Sequence, residues 1–507
     1  MAEVVSISFS KVIQLFYNQD FILLIIKVRY ITDMANPSKT AIVILAAGLG
    51  KRMFSSLPKV LVPACGRPLI FHILDRVAEV APISRIGIVV GHQKDLVIEQ
   101  ILSQNYPFKI EFIEQIEQNG TGHAVKCAME HSWGKETLEL KEDVLVLPGD
   151  LPLITREVIQ EMSEPLKRGS SMRLLTAIVP DPFGYGRVVR KAKKGPVLRI
   201  SEEKDANPRE KLLKEVGLSI YKFNAQFLSF GVQALKNNNA QKEYYLTDLV
   251  GLSVSKKRII ETHTWENHED VRGVNDPYEL ALAAHILNGR VIKKHALNGV
   301  RFLCLNSCQV EPTVKIEKDV TLYPGVILEG DTAIGTGSKV GPNVFLKNVK
   351  VGTHTEIKAG CIAEDSVVGS GVKLGPYAHL RPECEIKDGA KIGNFVELKK
   401  AVIGEKTAIS HLSYVGDALV GAHVNIGCGF ITCNYDGRII NGSRKHKTII
   451  EDHVFVGSDC QAIAPIILRK GSFIASGSTI TEEVPEEGFA IARSRQVTKP
   501  GYAKKLK

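Results

Sequence analysis

The sequence has 507 residues, of which 44% are hydrophobic and 24% charged, and this composition excludes intrinsically disordered and collagen-like proteins. The formal net charge of +10 favours anionic partners without choosing between nucleic acid, anionic lipid and phosphorylated metabolites. The apolar run at residues 21–26 is interrupted by Lys27, and both it and the run at residues 41–47 are far shorter than the roughly 18 residues that cross a bilayer. We therefore expect no membrane insertion.

The N-terminal segment, residues 1–37, lacks the basic start and the small-residue cleavage site of a secretory signal, and we treat it as an extension outside the fold. The nine cysteines are an odd number and include no Cys-x-x-Cys pair. This pattern indicates reduced thiols in a cytoplasmic protein rather than a disulfide or zinc framework.

Four short apolar runs alternate with helical stretches in the first half of the chain: Ile42–Leu45, Ile86–Val90, Ile110–Ile113 and Val144–Leu147. Runs of this kind are typical of central strands that are covered on both faces, so we expect a Rossmann-like, parallel α/β sheet. Ligands of such sheets bind beyond the carboxyl ends of the strands.

Two of these strands lead into informative loops. The first leads into a turn with Gly48 and Gly50, followed by Arg52 and then Lys59, and the last leads into Gly149 and Asp150. The glycine turn is neither a dinucleotide fingerprint nor a Walker A loop. It is either an anion site, with backbone N–H groups and nearby cations facing a phosphate, or an ordinary tight turn. Asp150 is likewise either a ligand or a turn residue.

The pattern becomes helical over residues 277–296 and changes again after it. From Ile316 onward, an aliphatic residue recurs at every sixth position, with single-residue slips. The series runs through Leu322, Leu328, Ile334, Val340, Leu346, Val368, Leu374, Leu380, Ile386, Ile392, Leu398, Ile403, Ile409, Val415, Val420, Ile426, Ile450, Val456, Ala462, Leu468, Ile474 and Ile480. A hexapeptide repeat of this length predicts a parallel β-helix. Residues 434–447 break the period and are expected to form a projecting loop.

Polar side chains follow several of the repeated aliphatic residues. Arg381 and Lys399 are 18 positions apart, which places them on the same side of successive coils. Two stacked cations repel each other, so either a substrate phosphate lies between them or they pair with carboxylates such as Glu383. His411 lies two residues past Ile409, and its position alone indicates a solvent-facing histidine.

The stretch from Leu45 to Leu61, L-A-A-G-L-G-K-R-M-F-S-S-L-P-K-V-L, resembles the signature of sugar-phosphate nucleotidylyltransferases. Together with the hexapeptide repeats, the chain from about residue 38 resembles the family of bifunctional N-acetylglucosamine-1-phosphate uridylyltransferase/glucosamine-1-phosphate acetyltransferases. Segments 115–122, 149–150, 184–187, 202–206, 244–248 and 273–275 fit that family's pattern in order.

The resemblance implies an architecture: a uridylyltransferase domain over 38–275, a linker helix over 276–297, and a left-handed β-helix acetyltransferase domain over 298–507 that assembles as a homotrimer. It also implies Mg²⁺ as cofactor, acetyl-CoA and UTP as co-substrates, and small-molecule sugar phosphates rather than nucleic acid as partners. The implied reactions are N-acetylation of glucosamine 1-phosphate and then uridylyl transfer from UTP, which releases pyrophosphate.

The resemblance further implies roles for individual residues. Asp150 and Asn275 would hold the metal ion, and His411, Lys59 and Arg52 would be catalytic. In the uridylyl site, Gln115, Gly120 and Thr121 would contact the uracil, and Gly186 and Glu202 would face the sugar. Leu45, Ala46, Ala47 and Gly48 would also bind the nucleotide or the sugar. The amino-sugar phosphate of the acetyl site would contact Arg381, Lys399, Tyr414 and Asn425. Acetyl-CoA would contact Cys428, Asn434, Tyr435, Ser458, Ser476 and Arg493.

Some positions depart from the family pattern. Gly217 stands where a family asparagine would contact the sugar, Pro148 replaces a common tyrosine, and Cys428 and Ser476 stand where alanine is common. Two other functions therefore stay open: a nucleotidylyltransferase of single activity with a structural β-helix, and a non-catalytic nucleotide-sensing subunit. A carbonic anhydrase would need three coil-spaced histidines, and the sequence shows no such trio.

Overall fold

The computed structural model describes residues 40–80, 83, 85–192, 195–439 and 442–506. The expected extension, residues 1–37, lies outside the described residues. The chain forms two compact units, one ending at Ala284 and the other beginning at His285. No helix among the described residues is long and apolar enough to cross a bilayer.

The described part of the first unit contains eleven strands and most of the helices. The strands are β1 (Thr40–Leu45), β2 (Pro63–Ala64), β3 (Arg67–Pro68), β4 (Arg85–Val90), β5 (Lys109–Glu114), β6 (Asp143–Pro148), β7 (Ser170–Ile178), β8 (Gly186–Arg190), β9 (Val197–Ser201), β10 (Glu215–Phe223) and β11 (Ile259–Thr264). The helices are α1 (Leu69–Ala78), α2 (Lys94–Leu102), α3 (Thr121–Glu130), α4 (Ser132–Glu139), α5 (Arg156–Ser163), α6 (Ala225–Ala234) and α7 (Asp248–Ser255). A further helix, α8 (Pro277–Leu297), contains the division between the units.

The main sheet of the first unit has the order β11-β7-β10-β6-β1-β4-β5, with β8 beside β10 and β9 beside β8. Strands β6, β1, β4 and β5 are parallel, as the apolar runs predict. The expectation of an entirely parallel sheet is wrong, because β10 is antiparallel to both β6 and β7. Between β7 and β10 the chain forms the β8–β9 hairpin instead of the long crossover connection that parallel strands need, and it therefore returns in the opposite direction.

Apolar side chains cover both faces of this sheet. One cluster packs α1 and α5 against residues such as Ile42 and Ile88, and the other packs α3, α6 and α7 against residues such as Val43 and Val146. Alternate residues of β1 thus enter different cores, which explains why the strand reads as a continuous apolar run. Beyond the carboxyl ends of β1 and β6, Gly48, Gly50 and Asp150 lie outside both cores.

The second unit contains short parallel strands that stack coil on coil. One sheet contains Arg301–Phe302, Thr321–Leu322, Lys339–Val340, Glu356–Ile357, Lys373–Leu374, Lys391–Asn394, Ala408–His411, Asn425–Ile426, Phe455–Val456, Phe473–Ile474 and Phe489–Ala490. The other contains Gln309–Val310, Lys315–Ile316, Ile327–Glu329, Ala333–Ile334, Phe345–Lys347, Lys350–Val351, Ile362–Glu364, Val367–Val368, His379–Leu380, Glu385–Ile386, Glu397–Ile403, Tyr414–Val420, Ile431–Cys433, Thr448–Ile450, Gln461–Ile463, Ile466–Leu468 and Thr479–Ile480.

The repeated aliphatic residues form the core of this unit. Leu380 pairs with Leu398, 18 positions along the chain, and Ile409 pairs with Ile426, 17 positions along. Nearly all of these side chains are buried in one continuous column. The fold is the left-handed parallel β-helix of hexapeptide-repeat proteins, in which each coil buries its aliphatic residues against the coils above and below.

The segment at residues 434–447 interrupts the coils, as the sequence predicts. Val420 pairs with Ile450, which lies 30 positions along the chain instead of 17 or 18. No strand occurs in the described part of this segment, residues 434–439 and 442–447. The insertion therefore leaves the coil after Cys433 and rejoins it at Thr448.

Candidate active sites

The glycine turn after β1 packs directly on Lys59. Gly50 has a φ of +57°, and a Cβ at this position would lie 2.6 Å from the Cβ of Lys59. Only glycine adopts this backbone conformation at no steric cost and leaves room for the lysine stem. The turn thus fixes the position of Lys59, which begins a short 3₁₀ turn over Lys59–Leu61.

The ammonium group of Lys59 lies between Asp150 and Asn275. Nζ donates to Oδ2 of Asp150 and, at 3.0 Å, to Oδ1 of Asn275. The backbone fixes both partners, because Val274 N–H donates to the carbonyl of Asp150 at 3.0 Å and Asn275 N–H donates to Oε2 of Glu279 at 2.6 Å. Three groups distant in sequence therefore meet at the carboxyl ends of β1 and β6.

This arrangement shows that the oxygens of Asp150 and Asn275 converge on one cation. Among the described residues, no group of three or more His, Cys, Asp and Glu side chains is arranged to hold a metal ion. Two protein oxygens nevertheless suit Mg²⁺, which usually keeps several waters and binds through one or two carboxylates together with substrate phosphates. The donor set predicted from the sequence fits that metal.

Gln115, Gly120 and Thr121 form a second cluster at the start of α3. The buried side chain of Gln115 donates from Nε2 to the carbonyl of Gly120 at 3.2 Å and lies 3.1 Å from Nδ1 of His123. The hydroxyl oxygen of Thr121 accepts from the N–H of Leu246 at 3.3 Å. The three residues predicted to contact uracil are thus brought together.

Glu202 and Gly186 form the predicted sugar end of this unit. Thr247 donates from its hydroxyl to Oε1 of Glu202 at 2.8 Å, and burial raises the pKa of the Glu202 carboxyl above its ordinary value. Gly186 pairs with Gly217 of β10, and a Cβ at Gly186 would lie 3.4 Å from Oε2 of Glu202. The departure at Gly217 therefore lies directly opposite a predicted sugar contact.

Some of the remaining predicted residues of this unit continue β1, and others are exposed to solvent. Leu45, Ala46 and Ala47 continue β1 into the turn, and Ala46 N–H donates to the carbonyl of Val89 at 2.8 Å. Gly48 is exposed. Arg52 is exposed too, and its guanidinium makes no hydrogen bond or ion pair within the part of the chain that the structure describes. Among the described residues, no hydrogen bond or ion pair joins Arg52 to Lys59, Asp150 or Asn275.

Arg381 and Lys399 lie at equivalent positions of adjacent coils in the second unit, because Leu380 pairs with Leu398. Arg381 donates from Nη1 to Oε1 of Glu397 at 3.0 Å, and both side chains are 41% exposed. Glu383 pairs with Lys400 at 2.8 Å rather than with either predicted cation. An exposed pair of this kind contributes ~0–1 kcal/mol, so a phosphate can replace the carboxylate at small cost.

Tyr414 and Asn434 meet beside Lys399. Asn434 donates from Nδ2 to the hydroxyl of Tyr414 at 3.3 Å and to Oδ2 of Asp417 at 2.5 Å. Both side chains lie over Gly416, the residue paired with Lys399, where a Cβ would collide with the Tyr414 hydroxyl. A side chain at Gly416 would fill the space next to Lys399.

His411 lies at the end of its strand and contacts the preceding coil. Its Nδ1 is 2.8 Å from Oδ1 of Asn394, and the two residues are paired in register. The imidazole is exposed on its other side. Asn425, on the next strand of the same sheet, pairs with Ala408 and is also exposed.

Four of the residues predicted to bind acetyl-CoA form a row across successive coils. Cys428 accepts from Asp459 N–H through its carbonyl at 2.7 Å, and Ser458 N–H donates to Oγ of Ser476 at 3.2 Å. Arg493 donates to the carbonyl of Ser476 at 2.7 Å. The fifth, Asn434, is held beside Tyr414 instead.

Tyr435, the sixth predicted acetyl-CoA contact, also lies outside this row. It lies in the projecting loop, where Lys445 Nζ is 4.5 Å from the centre of its ring. The next residue, Asp436, pairs with Arg438 and with His446, and the hydrogen bond from Arg438 lowers the pKa of Asp436. These contacts hold Tyr435 within the loop.

Sequence reasoning missed Asn394, Glu397, Gly416, Asp417 and Thr247. A repeat signal was present for the first of these, since Asn394 lies two residues past Ile392 just as His411 lies two past Ile409. Gly416 occupies the coil position of Arg381 and Lys399, directly after a core residue. Asp417 carries the same signal, since it lies two residues past Val415, whereas Thr247 carries none, because its contact with Glu202 joins segments 45 positions apart.

Comparison with known proteins covers both units. Residues 42–192 match the MobA-like NTP transferase domain, and residues 365–400 match the bacterial transferase hexapeptide with six repeats. The Bifunctional protein GlmU of Geobacillus sp. (strain WCH70) is 42% identical over 92% of this chain and 97% of the relative. GlmU of Clostridioides difficile (strain 630) is 41% identical over 91% and 97%, and that of Geotalea daltonii is 43% identical over 93% and 100%. With both units matched in order and nearly end to end, the chain belongs to the family of bifunctional GlmU proteins.

Proposed function

We propose that this protein makes UDP-N-acetylglucosamine in two reactions at separate sites. The second unit transfers an acetyl group from acetyl-CoA to the amine of glucosamine 1-phosphate. The first unit then transfers uridylyl from UTP to the resulting N-acetylglucosamine 1-phosphate and releases pyrophosphate. The observation that carries the proposal is that each unit has its own polar cluster, around Lys59 in one and around His411 in the other.

Uridylyl transfer depends on charge and position rather than on a base. The phosphate oxygen of the sugar is already anionic, so its attack on the α-phosphorus of UTP requires neutralised phosphates and an in-line geometry. Asp150 and Asn275 would hold Mg²⁺, which neutralises phosphate charge when bound. Lys59 supplies a second fixed cation at the same place. Gln115 would contact the base, and Glu202 the sugar hydroxyls.

Acetyl transfer depends on a proton acceptor. The amine reaches the reactive state when its ammonium form loses a proton, and Nε2 of His411 would take that proton. The amine nitrogen then attacks the thioester carbonyl and forms the amide bond, while the carbon–sulfur bond breaks and the coenzyme leaves as a thiol. Arg381, Lys399, Tyr414 and Asn425 would hold the sugar phosphate, and the row from Cys428 to Arg493 would hold acetyl-CoA.

The second unit also supports a homotrimer. Val367, Val402, Leu419, Ile449 and Ile467 face outward along one side of successive coils, interrupted by Glu385. Val367 is 46% exposed, and exposed apolar stripes of this kind commonly pack against other subunits. Light scattering during gel filtration should give three times the chain mass, and a monomer with full acetyltransferase activity would contradict the trimer.

The function is tested by supplying the purified chain with Mg²⁺, UTP, acetyl-CoA and a panel of sugar 1-phosphates. Free coenzyme thiol and pyrophosphate are measured separately. We expect thiol release with glucosamine 1-phosphate alone and pyrophosphate release with N-acetylglucosamine 1-phosphate alone. Pyrophosphate release without thiol release from any sugar would favour the enzyme of single activity. Absence of both products would favour the nucleotide-sensing subunit.

A further inference from the structure

The strands that carry Asn394 and His411 differ from their neighbours in the same sheet. Every other strand of that sheet has two residues, whereas Lys391–Asn394 and Ala408–His411 each have four. The extra pairing brings Asn394 into register with His411. The N–H of Leu412 then donates to the carbonyl of Asn394 at 3.0 Å, which closes the extended ladder.

The glycine before Asn394 allows this approach. A Cβ at Gly393 would collide with the carbonyl oxygen of Ser410, so any other residue would push the two strands apart. The close approach is therefore built into the backbone on the N-terminal side of Asn394. Backbone contacts on both sides hold the amide of Asn394 against the imidazole, with its oxygen 2.8 Å from Nδ1.

We propose that Asn394 is a positioning residue for acetyl transfer, a role that rests on the proposed function of the second unit. An amide oxygen can only accept a hydrogen bond, so Nδ1 of His411 must carry the proton in this contact. The neutral imidazole then has its lone pair on Nε2, the nitrogen on the side away from Asn394. Asn394 thus selects the tautomer and the ring orientation that can accept a proton from the substrate amine.

Among the described residues, Asn394 is the group that orients the imidazole of His411. No carboxylate lies within ion-pair distance of His411 in the described ranges, and Ser413 donates to the carbonyl of His411 rather than to its ring. Titratable groups on neighbouring elements include Lys391, which pairs with Ala408, and Cys428, at the equivalent position of the next coil. Glu397 and Tyr414 pair with each other on the following strands. None of these side chains makes a hydrogen bond with the ring in the described structure.

Two variants separate positioning from a merely structural role. Asn394→Ala removes the acceptor, and we expect kcat for acetyl transfer to fall about 10–100-fold with KM for both substrates unchanged. Asn394→Asp keeps an acceptor but adds a charge that stabilises the protonated imidazole. It should regain most of the lost kcat at high pH and move the acid limb of the kcat–pH profile up by about one unit.

Two controls complete the design. Lys391→Ala, an exposed change on the same strand, should alter neither reaction, and the thermal unfolding of each variant, followed by circular dichroism, reports whether the second unit is folded. Wild-type kcat in Asn394→Ala would overturn the proposal, as would equal losses in both Asn394 variants with an unshifted pH profile. A wild-type chain without acetyl transfer would instead overturn the proposed function.

Discussion

The proposed uridylyl site contains one fixed cation, the ammonium of Lys59, which lies between Asp150 and Asn275. The sequence placed Lys59, Asp150 and Asn275 in one predicted site, but nothing in it showed that the ammonium of Lys59 would lie directly between the other two. That contact depends on the Gly50 turn and on residues that are 91 and 216 positions away from Lys59. Contacts between residues this far apart in the sequence are set by the arrangement of strands in the sheet rather than by the local sequence pattern.

Replacing Lys59 with methionine should remove a fixed positive charge from this site while keeping most of the apolar stem. We expect kcat for uridylyl transfer to fall about 10²–10³-fold, because a preorganised charge stabilises the transition state in a site with little water. Acetyl transfer should be unchanged. The assay is pyrophosphate release at saturating substrates.

The matched control is Lys51→Met in the same loop, where the lysine is exposed. This variant should keep wild-type activity. Wild-type uridylyl transfer in Lys59→Met, or an equal loss in Lys51→Met, would show that Lys59 has no specific role.

At the scale of elements, β10 shows where prediction from the sequence failed. It is almost entirely buried and pairs with strands on both sides, and its antiparallel direction follows from the β8–β9 hairpin that precedes it. The apolar runs predicted the four parallel strands because covered strands have a local signature. Strand direction has no such local signature when the strands are connected through a hairpin of polar composition.

A buried lysine also links β10 to its neighbours. Lys222 donates to the Thr40 hydroxyl at 2.8 Å and to the carbonyls of Ser163 and Glu164 at 2.7 and 2.9 Å. The side chain is 1% exposed, and burial lowers the pKa of Lys222 from 10.5 to about 8. The ammonium therefore donates hydrogen bonds to carbonyls at the end of α5 and to a hydroxyl at the start of β1, and it loses its own hydration in doing so.

This pKa shift predicts a pH dependence of stability. Between pH 8 and pH 10.5 the unfolded chain binds the Lys222 proton more tightly than the folded chain does, so the contribution of Lys222 to the free energy of unfolding rises with pH across that window. Lys222→Met should destabilise the first unit by roughly 2–4 kcal/mol, because it leaves buried acceptors without a donor. The difference between wild type and variant should grow as pH rises.

Urea unfolding monitored by tryptophan fluorescence can measure this difference, since both tryptophans, Trp133 and Trp265, lie in the first unit. The control is Lys236→Met, where the lysine is exposed and the stability should not change. A difference between wild type and Lys222→Met that stays constant from pH 7.5 to pH 10 would refute the assignment.

At the scale of the whole molecule, the second unit was the most predictable part. A hexapeptide period is local, repeated and directly tied to burial, so the aliphatic series identified the column and its interruption. The contacts of its site were less predictable. Asn394 and Gly416 lie one coil from His411 and Lys399, a spacing that the sequence shows, but the hydrogen bond between Asn394 and His411 and the close packing over Gly416 are seen only in the structure.

The central claim is that one chain carries two catalytic sites that work independently. The most direct test measures coenzyme thiol and pyrophosphate in parallel for wild type, Asp150→Ala and His411→Ala. We predict that His411→Ala loses acetyl transfer by roughly 10²–10⁴-fold and keeps uridylyl transfer, and that Asp150→Ala does the reverse. Loss of both activities in either variant, with the chain still folded, would contradict the account.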